Sequence, residues 1–230
     1  MFTARVAVVL ALLLPPLRFR LYFVRDKDAA YRLVRECARR VMVFSGITVE
    51  VLNAGRIPEQ GASMLVSNHV SIADAAVLVA VLPVNVRFVA NHVFAQYPLI
   101  GPIIRAASAN IVNRGSWRSR ADSGQAMQEA LAAGRSLLVF PEGTTSESGE
   151  MLPFRSGAFR AAARTGRPIV PLALRGTRSL MPVNSWLLAP APIAVEVLDP
   201  IAPADATREG IVAVTTEAAD AIRAALASRT

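Results

Sequence analysis

Cysteine, histidine and lysine are all nearly absent from this sequence of 230 residues. Cys37 is the single cysteine. It excludes an internal disulfide and a cysteine metal cluster, and it fits a reducing cytoplasm. His69 and His92 are the two histidines, which leaves little from which to build a zinc site. No metal is expected. Lys27 is the only lysine, so arginine carries nearly all of the 25 basic charges. Long apolar runs are missing too. The longest uncharged one, Val6 to Leu17, contains Pro15 and Pro16 and falls short of the ~20 residues that a spanning helix needs. No small-x-small cleavage site follows it, and no internal repeat or low-complexity segment is present.

What is present is apolar and basic. Hydrophobic residues make up 53% and the mean hydropathy is +0.40, high for a soluble protein. The net charge of +8 favours anionic partners, whether lipid headgroups or nucleic acid. Arg5 precedes the apolar stretch, and Leu17 to Phe23 interleaves Arg18 and Arg20 with large apolar side chains. Together they predict an uncleaved segment lying on or in one face of a membrane. Asp28 to Phe44 reads as a helix, with Tyr31, Val34, Ala38 and Val41 on one side and Arg32, Arg35, Arg39 and Arg40 forming a basic remainder. Those arginines are expected to meet lipid phosphates, and Gly46 ends the helix. Residues 1–45 are thus expected to form a membrane-associated helical segment, and residues 46–230 the main domain.

From Ile47 onward apolar strands alternate with helices. Strands are expected at Ile47–Leu52, Met64–Val66, Val86–Ala90, Asn110–Asn113, Ser136–Phe140, Pro168–Leu174 and Ile193–Leu198. Helices are expected at Asp74–Leu82, Pro98–Ala107, Ser119–Ala133, Ser156–Thr165 and Thr207–Ala227, with Gly176 to Pro192 irregular. The pattern predicts an α/β fold, a mostly parallel or mixed sheet covered by helices on both faces. In such folds sites gather at strand ends.

The stretch Leu65 to Asp74 ends an apolar strand in Asn68 and His69, with Asp74 five residues after the histidine. Histidine is the natural proton acceptor near pH 7, and a carboxylate on its other nitrogen would hold the tautomer. On one continuous helix a five-residue spacing is about 500°, which leaves the two side chains roughly 140° apart. They meet only if His69 stays outside a helix that Ser71 starts as N-cap, with Asp74 in the first turn. Taken alone, the pair also fits two ordinary caps. A second loop, Phe140 to Ser146, follows another apolar strand and carries Glu142 between Pro141 and Gly143. By itself it also fits a solvated turn. His92 reads as a structural histidine, and Trp117 and Trp186 fit either a membrane interface or loop packing.

Four segments in order carry a family resemblance: Asn68-His69-x₄-Asp74, Ile111-Val112-Asn113-Arg114, Phe140-Pro141-Glu142-Gly143-Thr144 and Ile169-Val170-Pro171-Leu172. In order and spacing they resemble the four motifs of the glycerolipid acyltransferases, of the bacterial 1-acylglycerol-3-phosphate acyltransferase type. Leu152 to Phe159 also resembles the family's segment after the third motif. The resemblance implies His69 as general base and Asp74 as its partner. It implies Arg114, Glu142, Gly143 and Thr144 as acceptor-binding residues, and Pro171 as lining the acyl site. It further implies no cofactor, an acyl-CoA or acyl-carrier-protein donor, a lysolipid acceptor and membrane lipid as partners, and the cytoplasmic face of the inner membrane as location. Many members have arginine where this chain has Thr145. Arg155, Arg175 and Arg178 are the candidates to replace it, and the departure leaves acylation of another lysolipid as the alternative. A non-catalytic basic binding module is the remote one. The scattered arginines and the lack of an aromatic-basic recognition motif argue against nucleic acid.

Overall fold

In the computed structural model the described residues are 1–91, 96, 101–112, 117–146, 148–183, 185, 187–203 and 205–228. The chain opens with two helices, α1 (Phe2–Phe23) and α2 (Lys27–Ser45). Strands β1 (Val49–Leu52) and β2 (Met64–Ser67) follow, with a single 3-10 turn at Ala54–Arg56 between them. Next come α3 (Asp74–Val81), β3 (Val86–Asn91), α4 (Gly101–Ala107), β4 (Ser108–Val112), α5 (Trp117–Ala132) and β5 (Ser136–Val139). The last are α6 (Gly157–Thr165), β6 (Ile169–Arg175), a one-turn α7 (Thr177–Leu180), β7 (Ile193–Val197) and α8 (Arg208–Ala227). His92, Arg114 and Trp186 lie outside the described residues, as do the expected helix start at Pro98 and strand end at Asn113.

The strands form one seven-stranded sheet in the order β1-β7-β6-β2-β5-β3-β4. Neighbours are parallel except β6 and β7, so the β1–β7 pair runs against the rest. The fold is therefore α/β with a mixed sheet, as expected. Side-chain alternation along the strands splits the core in two. Leu65, Leu138, Val170, Leu172 and Leu174 face a layer with α2 and α3 that includes Tyr31, Val34 and Leu78. Met64, Val66, Leu137, Ile169 and Ala173 face the other layer, with Leu131 of α5, Phe159 of α6, and Ile211, Val214, Ala218 and Ile222 of α8. The one-sided periodicity read for α8 is thus its buried face. Thr207 caps that helix, its Oγ1 accepting from Gly210 N–H at 3.1 Å.

Two expectations for residues 1–45 change. The stretch around Pro15-Pro16 is one continuous helix of 22 residues, about 33 Å long, and only 11% of its apolar window is buried. By length and composition α1 is long and apolar enough to cross a membrane, a description that a signal sequence near an N-terminus also fits. Counting unbroken apolar residues underestimated it because the helix runs on through the prolines and past Arg18 and Arg20. Second, the α2 arginines do not form one lipid-facing row. Arg39 Nε donates to Ala80 O at 2.8 Å, and Arg35 donates to Leu82 O and Asn85 Oδ1, so both serve the carbonyl end of α3. Arg40 pairs with Glu36 one turn earlier. Gly46 ends α2 in the left-handed region (φ 74°), its N–H donating to Met42 O and Val43 O.

Helix α2 is also part of the main core rather than an appendage to it. The buried Tyr31 hydroxyl accepts the Val86 N–H at 3.2 Å. Arg87, nearly buried and stacked 4.8 Å over the Tyr31 ring, donates to Lys27 O, Asp28 Oδ1 and Ala106 O. One guanidinium thus fastens α2, β3 and α4, with every carbonyl it buries given a donor.

Candidate active site

The site begins where β2 stops. All four β2 residues are buried, and Asn68 stays covered beyond them, 1% exposed. Its Oδ1 accepts the Leu174 N–H at 2.8 Å while its Nδ2 donates to Leu174 O at 2.9 Å. The amide thereby pairs with β6 as a backbone unit would, and it fixes the exit of the chain from the sheet.

His69 is the next residue. Its Nδ1 lies 2.8 Å from Asp74 Oδ2, and the same oxygen accepts the N–H groups of Val70 at 2.8 Å and Ser71 at 2.9 Å. Asp74 is fully buried, whereas the His69 side chain is 20% exposed. A carboxylate oxygen only accepts, so Nδ1 is the donor in this bond, and in the neutral imidazole that leaves the lone pair on Nε2. As the angular arithmetic required, His69 lies outside the helix. Ser71 is not the cap that was expected. Helix α3 starts at Asp74 with Ala73 in the cap position and no side-chain cap. Ser71 Oγ donates instead to Met181 O at 2.8 Å and accepts from Ala73 N–H at 3.2 Å. The distant carbonyl draws the hydroxyl away, and the Asp74 carboxylate closes the turn in its place.

The strand β5 loop supplies the second wall. Phe140 stacks on the His69 ring with centroids 4.2 Å apart and planes 18° from parallel. Glu142 Oε1 accepts the backbone N–H of His69 at 2.7 Å, and its Oε2 accepts that of Leu152 at 2.7 Å. The Ser146 N–H donates to His69 O at 3.3 Å. Both ends of the His69 peptide unit are therefore held by this loop. Burial pushes the Glu142 carboxyl above the usual carboxylate range, and the hydrogen bonds from Leu152 and His69 oppose that shift. The family resemblance implied Glu142 as an acceptor-binding residue. Here the carboxylate is 2% exposed and both its oxygens are taken by backbone, so it sits beneath the site as a strut.

Gly143 adopts a φ of 82°, and a Cβ there would lie 2.9 Å from Arg155 Nε. Only glycine accepts both the conformation and the guanidinium lying across it. Thr144 is exposed beside it. The Arg155 N–H also donates to Pro141 O at 2.9 Å, which brings the segment after the loop back onto it. The three candidate arginines now separate. Arg155 lies on the Glu142–Gly143 turn. Arg178 lies against Gly149 and donates to Ser146 O at 2.9 Å. Arg175 is bound elsewhere, to Glu196 and Ala225 O. Pro171 is buried in mid-strand, paired with Val66. Its alternation with Val170 and Leu172 turns it to the layer of α6 and α8, away from α3.

Three contributors had no role assigned from sequence: Asn68, Phe140 and Ser146. The first two sit inside recognisable motifs, but their partners, Leu174 and His69, are 106 and 71 positions away in the chain, beyond any local pattern. Chemically the arrangement offers a base with an oriented, carboxylate-backed imidazole beside a loop crossed by an arginine. Among the described residues no group of three or more His, Cys, Asp or Glu side chains is placed to hold a metal.

The acyltransferase family model matches residues 48–175, more than half of the chain. A 1-acyl-sn-glycerol-3-phosphate acyltransferase of Cocos nucifera is 32% identical over 150 residues, covering 65% of this chain and 49% of its own. The enzyme of the same name from Neisseria meningitidis is 33% identical over 150 residues, 64% of this chain and 57% of its own. The chain thus spans about half the length of the curated relatives it matches. The crystal structure of the 1-acyl-sn-glycerophosphate (LPA) acyltransferase PlsC from Thermotoga maritima superposes with a TM-score of 0.79, covering 100% of this chain and 96% of that one. At 22% identity that likeness is one of fold.

Proposed function

Because the chain belongs to the acyltransferase family, we propose that it moves a fatty acyl group from a thioester to the 2-hydroxyl of 1-acylglycerol 3-phosphate, giving phosphatidic acid. The observation that carries this reading is the bond between His69 Nδ1 and an Asp74 oxygen already fixed by two backbone N–H groups. It leaves the Nε2 lone pair for the acceptor hydroxyl. The hydroxyl oxygen attacks the thioester carbonyl as Nε2 takes its proton, a tetrahedral oxyanion forms, the C–S bond breaks, and the proton goes to the departing thiolate. Asp74 stabilises the imidazolium in between. Base assistance of this kind is worth typically ~10²–10⁴-fold. No enzyme nucleophile is needed, since thioester and alcohol react directly.

The Val70 and Ser71 amides bind Asp74, and those of Ala73 and Asp74 bond to Ser71, so these four are already engaged and the oxyanion depends on other donors. Arginine suits the acceptor phosphate, being planar, permanently charged and bidentate. We assign that contact to Arg114 and Arg155, with Gly143 and Thr144 shaping the turn between donor and acceptor. Arg155, lying across Gly143, offers the charge that Thr145 lacks. This favours an acceptor with a free phosphomonoester over another lysolipid. The donor is acyl-CoA or acyl-carrier protein and no cofactor takes part. The acceptor and product are membrane lipids and the donor is soluble, which supports a reading in which the enzyme works at the cytoplasmic face of the inner membrane with α1 as its contact to lipid. Pro171 and its neighbours are read as supporting the acyl site from within the sheet.

The test is an acceptor panel with the purified full chain, following thiol release and lipid product. The reading expects 1-acylglycerol 3-phosphate to exceed lysophosphatidylcholine and lyso-aminolipids in kcat/KM. A preference for an acceptor without a phosphomonoester contradicts it.

A further inference from the structure

Helices α5 and α6 pack side by side, yet a cavity of about 420 Å³ stays open between them. That volume falls within the ~300–1,000 Å³ of small-molecule sites. Gly124 and Gln128, one turn apart on α5, lie on one wall, and Gly157, Arg160 and Arg164 of α6 form the other. The α6 residues make a single stripe, opposite the side that Phe159 and Ala162 bury. Among the described residues the two arginines are the only charged ones lining the cavity. Gly124 sits in the interior of α5, where glycine weakens a helix. No packing or backbone need accounts for it. Neither Gly124 nor Gly157 has a positive φ, and a Cβ at either would meet nothing within 4 Å. What the two glycines do is keep the cavity open.

Its position relates it to the reacting centre. Strands β4 and β5 run in the direction of β2, so α5 and α6, which follow them, both begin on the side of the sheet where β2 releases His69. Gly157 comes two residues after Arg155, which lies across Gly143, so the cavity opens beside the loop that walls His69. Arg164 is about 10 Å further along α6. An anion held by Arg160 and Arg164 is therefore set back from the reacting atoms. The acceptor cannot supply it, because its phosphate is on the carbon next to the reacting hydroxyl. A CoA thioester can, because a flexible pantetheine arm separates its acyl group from its nucleotide phosphates. Resting on the acyl-transfer reading, we propose that this cavity binds the phosphorylated nucleotide end of CoA, with Arg160 and Arg164 on its phosphates, and that the donor is acyl-CoA. A carrier protein would instead need a broad surface rather than a recess of this size.

The test pairs binding with kinetics on the full chain. Free CoA is titrated calorimetrically, without acceptor, into wild type, Arg160→Ala/Arg164→Ala, Gly124→Leu and a charge-matched control on α8, Arg208→Ala/Arg223→Ala. Both cavity variants are expected to raise the Kd for CoA on the order of tenfold or more, with the control at the wild-type value. Gly124→Leu should melt at or above wild type, since leucine is the better helix former and its Cβ meets open space. Its lost binding would then come from a filled cavity and not from a damaged fold. Should it not fold, the arginine pair, both exposed, carries the test. In acyl transfer at saturating acceptor, KM for acyl-CoA should rise by a similar factor. Turnover of acyl-pantetheine, which lacks the nucleotide and its phosphates, should be unchanged. A wild-type Kd in both cavity variants, or equal loss with the two thioesters, would overturn the proposal. CoA binding lost only in the cavity variants, with no phosphatidic acid formed by wild type, would refute the acceptor reading and uphold this site.

Discussion

Glu142 accepts the backbone N–H of His69 at 2.7 Å, across 73 positions of sequence. Through its other oxygen it holds Leu152, so one buried carboxylate links the His69 loop to the turn that carries Gly143 and Thr144. The acid therefore acts on position rather than on substrate, and its replacement has a distinctive signature.

Glu142→Gln keeps the shape but turns an NH₂ towards one of two N–H donors. The loss of that bond is expected to cost about 1–3 kcal/mol at neutral pH and to lower kcat more than it raises KM. The pH dependence follows from the raised carboxyl. A group bound more tightly to its proton when folded contributes stability that is complete below its unfolded pKa and is lost as pH rises through the folded one. Denaturant melts across pH 4–8 should show the advantage of wild type over the variant shrinking as pH climbs through that window. A constant difference would place Glu142 in ordinary solvated surroundings.

Asp74→Asn separates charge from shape. The Oδ1 atom of Asp74 is buried with no hydrogen-bond partner among the described residues, so the new NH₂ can take that place while the amide oxygen keeps its three donors. Geometry is preserved and the negative charge is lost. Turnover is expected to fall on the order of 10²-fold or more, with KM little changed. A large fall in melting temperature with turnover retained would make Asp74 only the closing piece of a turn.

Arg155→Ala tests the replacement for the arginine absent at Thr145. KM for 1-acylglycerol 3-phosphate should rise by about tenfold or more, as expected for loss of a charge-assisted contact, while a neutral monoacylglycerol is unaffected. Equal loss for both acceptors would assign Arg155 to loop packing over Gly143.

Leu12→Asp and Phe19→Asp address α1, where both side chains are exposed. Each should weaken vesicle association about tenfold or more without changing the melting temperature, because neither contributes to the core. Unaltered association would detach α1 from the membrane.

Much of this was legible in the sequence, for identifiable reasons. Strand and helix periods follow from alternation and from 3.6-residue spacing, so β2, β6 and α8 fell within a residue or two of expectation. For the His69–Asp74 pair the angular argument told only where the two could meet, with His69 outside the helix, and it was the family resemblance that marked them as partners. What was hidden depended on distant partners. Ser71 could not be placed without knowing that Met181 O lies above it, and Arg35 and Arg39 read as lipid-facing until α3 presented its carbonyl end. Glu142 sat in a motif that reads as a loop, and only the fold shows a backbone donor on each oxygen.

The most direct test of His69 as the base is acceptor-dependent thiol release from acyl-CoA by wild type and His69→Ala under one condition. The variant is expected to fold normally and to lose ~10²–10⁴-fold in kcat with 1-acylglycerol 3-phosphate. A folded His69→Ala protein whose acceptor-dependent turnover stays within about tenfold of wild type would contradict the account.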